Sequence, residues 1–516
     1  MSHPEAPSPL DPSLVPAAQA VLQPGTPGIL RPGTYHLIGI GGIGVSGVAR
    51  LLHERGLTVQ GSDVRESQLT LALRALGIQV FIGHAASNLD GVDTVVISTA
   101  IPATNPEVIA ATERGLRLLH RSEALGALLE DRRGIGIIGT HGKGTVSAAI
   151  AWLLDQAGWS PGFVIGGLLE NYGLNAREAA RHRDGALLPA AEQWLVAEVD
   201  ESDGSLVNSR PEIAVLNNLE LDHLHYYPEW DKLEAAVLQF FRGNAKLRQA
   251  VLNADDAGAH KILEALRKQV PATGAIAGLV PAHTVETVTF GFTSPGVDVR
   301  GVDLQTTRMA ASFGVEVRQA DGTYLSLGRV QTALPGRYNA SNLLAAIATA
   351  LTCEVPWDAI QRAVPTYKGL ENRFTLVQAN GIEVVKDYIS HPTGIKRVLE
   401  AARSQADGPL IAVFKPYRFT MIHYLQDDYR EAFRDADRVV VTELYTAGEV
   451  PIPGIDTDFL CNKIREVVPD VSYVHDLGDI TPWLLREVQA PATVLFFGGD
   501  DLFRVADAFV AARREA

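Results

Sequence analysis

Cysteine is almost absent: Cys353 and Cys461 are the only two in 516 residues. A disulfide scaffold and a cysteine-built zinc site are thereby excluded, and a reducing compartment, the cytoplasm, is expected. No uncharged apolar run approaches the roughly 18 residues that a spanning helix requires, so no membrane partner is expected. An excess of positive charge is missing as well. The 60 acidic and 45 basic residues leave a formal net charge of −15. That argues against nucleic acid as a partner, because phosphate contacts demand a positive surface. The N-terminus lacks the basic start and compact apolar stretch of a secretory leader. Residues 1–30 are rich in Pro, Ser and Ala instead, and read as a mobile tail.

What is present is α/β patterning. The chain is 46% hydrophobic and 20% charged, an ordinary globular composition, and its length suggests about three domains. Apolar runs at 35–40, 57–61 and 94–98 alternate with helical segments. The pattern resumes with runs at 134–138, 195–199 and 213–217, and again at 383–386, 410–414, 438–442 and 493–497. Strands alternating with helices predict an α/β fold with mostly parallel sheets. Residues 284–334, rich in Val, Thr and Gly, are expected to be more antiparallel. The expected domains are 31–132, 133–366 and 367–516.

Two glycine turns follow apolar strands. In HLIGIGGIGVSG, Gly39, Gly41 and Gly44 fit G-x-G-x-x-G between a strand and a helix, with Gly42 inside the turn. Asp63 ends the next strand, where a ribose hydroxyl could be bound. Such glycines let the backbone approach a pyrophosphate at a helix N-terminus. The motif alone does not separate a nicotinamide cofactor from another diphosphate nucleotide, nor either from a turn needed only for packing. The second turn, Gly139-Thr140-His141-Gly142-Lys143, has the layout of a loop that cradles the phosphates of ATP. It is not the strict pattern: Ile137 stands where glycine is wanted, and Gly144 where a hydroxyl residue is usual. Thr145 is the nearest candidate for a magnesium hydroxyl. Lys143→Ala is expected to abolish turnover and leave the fold intact, since a loop lysine adds little to a core.

Acidic residues follow at strand ends. LVAEVDESDGS supplies Glu198, Asp200, Glu201 and Asp203, and NNLELDHLHYY supplies Glu220, Asp222 and His223. Hard oxygen donors beside a phosphate loop suit Mg²⁺. His223 is either a further ligand or a substrate contact; a solvated loop is the plain alternative. Zinc is not expected, since neither a cysteine cluster nor H-E-x-x-H occurs.

Ten motifs in one order then resemble the Mur ligases, and most closely their alanine-adding branch. They are HLIGIGGIGVSG, GSD, STAI, GTHGKGT, VAEVDESD, NNLELDH, GRYNASNLLAA, DYISHPTG, FKPYRFT and YTAGEVPIPG. The resemblance implies an N-terminal Rossmann-like domain for UDP, a central P-loop ATPase-like domain and a C-terminal Rossmann-like domain for the amino acid. It implies small-molecule substrates, namely ATP, UDP-N-acetylmuramate and L-alanine, with Mg²⁺ as cofactor. ATP would phosphorylate a carboxylate and an amine would displace the phosphate, in the peptidoglycan precursor synthesis of the cytoplasm. A monomer or weak homodimer is expected.

Residue by residue, the resemblance puts Lys143 on the ATP phosphates within the loop Gly139–Thr145, and Glu198 and His223 on metal beside Thr145. It assigns Asn339 and Asn342 to adenine, their alternative being helix capping, and makes Arg373 and Asp387 close over the nucleotide. It turns Gly39, Gly41, Gly42, Gly44, Asp63 and Ser98 into a uridine diphosphate site, and aims His141 and Asn175 at the muramyl group. Arg418 would pair with the amino-acid carboxylate. Gly144, Ser390 and Met421 depart from the family pattern. A Mur-type ligase with another amino acid or a peptide as acceptor, or a non-catalytic nucleotide-binding paralogue, are the alternatives; a nicotinamide dehydrogenase leaves GTHGKGT unexplained.

Overall fold

The computed structural model describes residues 30–183, 185–224, 226–268, 285–307, 310–404 and 406–515. Apart from Leu30, the tail expected over 1–30 lies outside the described residues. Three main sheets follow one another along the chain, each with helices against it, so the α/β expectation holds.

The first sheet has five parallel strands in the spatial order Gln79–Ile82, Thr58–Asp63, Thr34–Ile38, Thr94–Ile97, Arg117–His120. Thr94–Ile97 is buried throughout, as parallel strands covered on both faces are. The order reverses direction beside Thr34–Ile38, and the crevice above such a reversal is where nucleotides bind. This core is not closed on itself. Val164, Ala176, Leu195 and Ala197 of the second sheet complete it beneath helix Ile43–Glu54.

The second sheet has ten strands. Arg133–Ile138 is central, flanked in parallel by Trp194–Glu198 and Ile213–Leu216. The antiparallel expectation for 284–334 is half right. Glu286–Gly291 continues the parallel array, and only Val299–Thr307, Ala310–Arg318 and Tyr324–Thr332 form an antiparallel meander. Over this sheet, helix Lys143–Gln156 packs against Arg337–Thr352 in one apolar core that includes Ile150, Leu154, Leu344 and Ile347.

The third sheet has six strands, parallel except for the hairpin Thr375–Ala379 and Ile382–Asp387. Its two faces carry separate cores, one around Phe414 and Tyr429, the other around Phe496 and Phe509. Among the described residues no helix is long and apolar enough to cross a membrane.

Candidate active site

The strand ends of the central sheet open on a cleft of about 1730 Å³. It is lined by Gly42, Gly44, Ser98 and Arg121 of the first unit, by the loop Thr140–Thr145, Glu198 and His223 of the second, and by Arg373, Asp387, His391 and Arg418 of the third.

At the first glycine turn, Gly39 has φ +73°, and the amides of Gly39 and Ile40 both donate to Ser62 O at 2.8 and 2.9 Å. Asp63 Oδ2 accepts the Gly41 amide at 2.9 Å. The structure thus places Asp63, Gly39 and Gly41 behind the turn rather than along the cleft wall. Asn175, expected to face substrate, is buried elsewhere. Its Nδ2 donates to Ile43 O at 2.7 Å and Ser46 Oγ at 2.9 Å, pinning the second sheet to helix Ile43–Glu54.

The phosphate loop is built by asparagines. Gly142, at φ +77°, leads into helix Lys143–Gln156 with no side-chain cap. Its φ and the position of Asn342 Oδ1, 2.5 Å from where a Cβ would stand, both require glycine. The His141 amide donates to Asn218 Oδ1 at 2.7 Å. The His141 carbonyl accepts from Asn217 Nδ2 at 3.0 Å and Asn218 Nδ2 at 2.8 Å. Asn217 Nδ2 also donates to Asn342 Oδ1 at 2.8 Å. Asn342 therefore braces the loop, while Asn339 Nδ2 donates back to Pro335 O at 2.9 Å. Neither is the N-cap of helix Arg337–Thr352; that position is Gly336.

Lys143 Nζ donates to Gly139 O and to Glu201 Oε1, both at 2.7 Å. Burial alone would lower this ammonium, but the charges of Glu201, Glu198 and Asp200 outweigh it and hold Lys143 above its usual range. Glu198 Oε2 accepts the Gly166 amide at 2.7 Å. Asp200 meets Arg121 Nη2 at 3.0 Å. Burial would raise its carboxyl, yet Arg121 and Lys143 hold it down at about 2. His223 has φ +52°, and its Nε2 is 3.8 Å from both Glu201 Oε1 and Asp222 Oδ2. Thr145 and Glu198 bring oxygen donors that suit a hard cation to this stretch of the cleft and His223 an imidazole, and Glu201 Oε2 beside His223 is buried without a hydrogen-bond partner. Gly144 has its own reason: a Cβ there would stand 2.9 Å from Leu370 Cδ1 and 3.2 Å from Glu198 Oε2.

The third unit closes the cleft. Arg373 Nη1 donates to Tyr388 O at 2.6 Å and lies 3.9 Å from Asp387 Oδ1. Burial lifts the Asp387 carboxyl to about 6, against the pull of Arg373 and the Phe374 amide. Arg418, at φ +63°, sits over the Tyr417 ring with Nη1 3.9 Å from Glu449 Oε1. Met421 and Ser390 line the cleft nearby.

Several residues here were not singled out from the sequence. Asn217 and Asn218 lie within NNLELDH, but nothing in that run says that they hold a loop 77 residues earlier. Arg121 directly follows strand Arg117–His120, a strand-end position that could have been found. Glu220 was named from the sequence, but only as an oxygen donor at a strand end; in the structure it bridges two units, its carboxylate accepting from His141 Nε2 and from Thr393 Oγ1, the latter at 2.9 Å. Burial would raise Glu220, but these bonds and the charge of His141 hold it at about 2.

Three family profiles match in succession: the Mur ligase family catalytic domain over 34–133, the Mur ligase middle domain over 137–350, and the Mur ligase glutamate ligase domain over 372–499. The UDP-N-acetylmuramate–L-alanine ligase of Allorhizobium ampelinum is 38% identical over 432 residues, 83% of this chain and 86% of that one. Its counterpart from Geotalea uraniireducens is 36% identical over 92% of this chain and 97% of its own. Among solved structures, the UDP-N-acetylmuramate–alanine ligase of Thermotoga maritima superposes with a TM-score of 0.73 at 24% identity, covering 94% of this chain and 99% of its own. A murein peptide ligase from Psychrobacter arcticus does so at 0.68 and 21% identity, with the same coverage of each. At these identities the two structures share the fold.

Proposed function

The chain belongs to the Mur ligase family, and from that premise we propose that it joins L-alanine to UDP-N-acetylmuramate at the expense of ATP, releasing ADP and phosphate. It is an ATP-dependent amide-forming ligase of peptidoglycan precursor synthesis. One observation carries the reading: a single cleft runs from Gly42 and Ser98, past Gly142 and Lys143, to Arg418. Sugar nucleotide, ATP and amino acid thus have adjoining places in one space.

The chemistry follows from that adjacency. A carboxylate is a poor electrophile, so its oxygen first attacks the γ-phosphorus of ATP and ADP leaves. The amine nitrogen then attacks the carbonyl carbon of the acyl phosphate, the C–O bond to phosphate breaks, and the amine proton is lost. Both early reactants are anionic, and Lys143 supplies the fixed positive charge that lets them meet. The amides of Gly142 and Lys143 hold the triphosphate at the start of helix Lys143–Gln156, while those of Thr140 and His141 are spent on Asn218. Mg²⁺, held by Thr145, Glu198 and His223, would supply further charge neutralisation on the phosphates. Gly42, Gly44 and Ser98 receive the uridine diphosphate moiety, with Arg121 at their edge. Arg418 takes the amino-acid carboxylate, while Arg373, Asp387, Asn339 and Asn342 enclose the nucleotide. The domains are 31–132, 133–366 and 367–516, and the nucleotide substrates place the enzyme in the cytoplasm.

Phosphate release by the purified protein with ATP, Mg²⁺ and UDP-N-acetylmuramate, across a panel of amino acids and peptides, tests this. Release that requires both the sugar nucleotide and L-alanine, with a product one alanyl residue heavier, is expected. Release only with another acceptor would reassign the substrate. ATP binding with no release under any acceptor would remove the ligase reading.

A further inference from the structure

Three side chains that no sequence spacing relates converge where the second and third units meet. His141 comes from the phosphate loop, Glu220 from the segment after strand Ile213–Leu216, and His391 from the N-cap of helix Pro392–Arg403. One ligand atom from each lies within 4.8 Å of the other two. The rings of His141 and His391 are 4.8 Å apart. His391 is only 7% exposed, and its Nε2 has no hydrogen-bond partner. A buried imidazole nitrogen left unpaired is costly unless a ligand takes it.

We propose that His141, Glu220 and His391 bind a borderline divalent cation of the Zn²⁺ class, at a site separate from the donors Thr145, Glu198 and His223. Two imidazoles and one carboxylate with an open fourth position are a set that Zn²⁺ accepts, whereas Mg²⁺ prefers oxygen throughout. The expectation that zinc is excluded rested on short-range motifs; Glu220 lies 79 positions after His141, and His391 a further 171. Bonds of about 2.0–2.1 Å to a tetrahedral ion would draw the ligand atoms to about 3.4 Å from one another, a contraction that side-chain rotation supplies. On binding, the Nε2 lone pair of His141 goes to the metal and the proton it shared with Glu220 leaves to solvent. If His391 binds through Nε2, its ring proton moves to Nδ1, which gives up the long 3.4 Å contact with the Thr393 amide.

Since the ligands belong to two units, a bound ion holds the third unit against the phosphate loop and occupies His141. Zn²⁺ is therefore an inhibitor of turnover. That consequence rests on the ligase reading; the binding itself does not.

The test uses the full chain, freed of metal and kept in excess Mg²⁺, with Zn²⁺ alone titrated by equilibrium dialysis and Co²⁺ as a spectroscopic probe. One equivalent of Zn²⁺, and visible Co²⁺ bands of a four-coordinate site, are expected. His391→Asn, which retains a helix-capping side chain, and Glu220→Gln should each weaken Zn²⁺ binding at least tenfold, with folding verified by thermal melts. His223→Ala should still bind one equivalent. Absence of stoichiometric binding, or binding that survives His391→Asn and Glu220→Gln but disappears in His223→Ala, would overturn the site. Loss of turnover in all conditions with Zn²⁺ binding intact would instead strike the ligase reading alone.

Discussion

Glu220 accepts a hydrogen bond from the Thr393 hydroxyl at 2.9 Å, and these two residues, 173 positions apart, tie the third unit to the phosphate loop through His141. The carboxylate also faces the N-terminal turn of helix Pro392–Arg403, where negative charge is favoured. A hydrogen bond to a charged group contributes about 1.5–3 kcal/mol. Thr393→Val should therefore lower kcat/KM about tenfold or more while the full chain still melts cooperatively, and Thr393→Ser should restore most of it. Steady-state kinetics of the two variants decide; equal kinetics for valine and threonine would show that the bridge does not serve closure.

Lys143→Ala should abolish phosphate release, but the fold will not be indifferent to it. Lys143 is the counter-charge of Glu201, whose side chain is 5% exposed. Removing one partner of a buried pair destabilises by about 3–5 kcal/mol, because the other charge is left alone. Denaturant unfolding should show that loss in Lys143→Ala and its recovery in Lys143→Met/Glu201→Gln. An undisturbed Lys143→Ala midpoint would return the lysine to the role of a surface loop residue.

Gly144→Thr, which supplies the residue usual in the alanine-adding enzymes, should harm rather than help. Its Cβ would press on Leu370 Cδ1 at 2.9 Å, and Leu370 is 3% exposed. Overpacking of this kind costs about 1–3 kcal/mol. Leu370→Ala should partly relieve the threonine variant although it destabilises the parent, so a double-mutant cycle by thermal melting should give a favourable coupling.

Asp387 predicts a pH dependence. Its carboxyl is raised from the ordinary 3.8 to about 6 in the folded chain, chiefly by burial. A raised folded value means that the proton binds the folded state more tightly. The contribution is fully present below pH 4 and is lost as pH rises through about 6, amounting to about 3 kcal/mol at most. Asp387→Asn should flatten this part of the stability profile between pH 4 and 6. A wild-type profile already flat over that window would contradict the burial argument.

Much of the fold was legible because buried parallel strands are short apolar runs. Leu410–Phe414 matches its expectation end to end, Ile213–Leu216 falls within its own, and Thr34–Ile38 begins one residue before the expected run at 35–40. The strands not foreseen were ambiguous: Gln79–Ile82 has four residues and one buried position, Val471–Tyr473 has three residues, and Gly162–Leu169 contains three glycines. At the site, the loop and the acidic strand ends could be read because a strand–turn–helix order is local. The bracing of His141 by Asn218, the filling of the space over Gly144 by Leu370, and the removal of Asn175 to the contact between units could not. Each depends on two segments that only the folded chain brings together.

The asparagine bracing of the phosphate loop has a consequence for how nucleotide is captured. Ordering one backbone residue costs about 1–2 kcal/mol of conformational entropy. In this chain both polar backbone groups of His141 are bonded to the side chains of Asn217 and Asn218. The loop thus loses little freedom when triphosphate arrives, and its amides do not have to be gathered at that moment. On the proposed reading, capture of ATP becomes the filling of a mould that the protein's own side chains have already set.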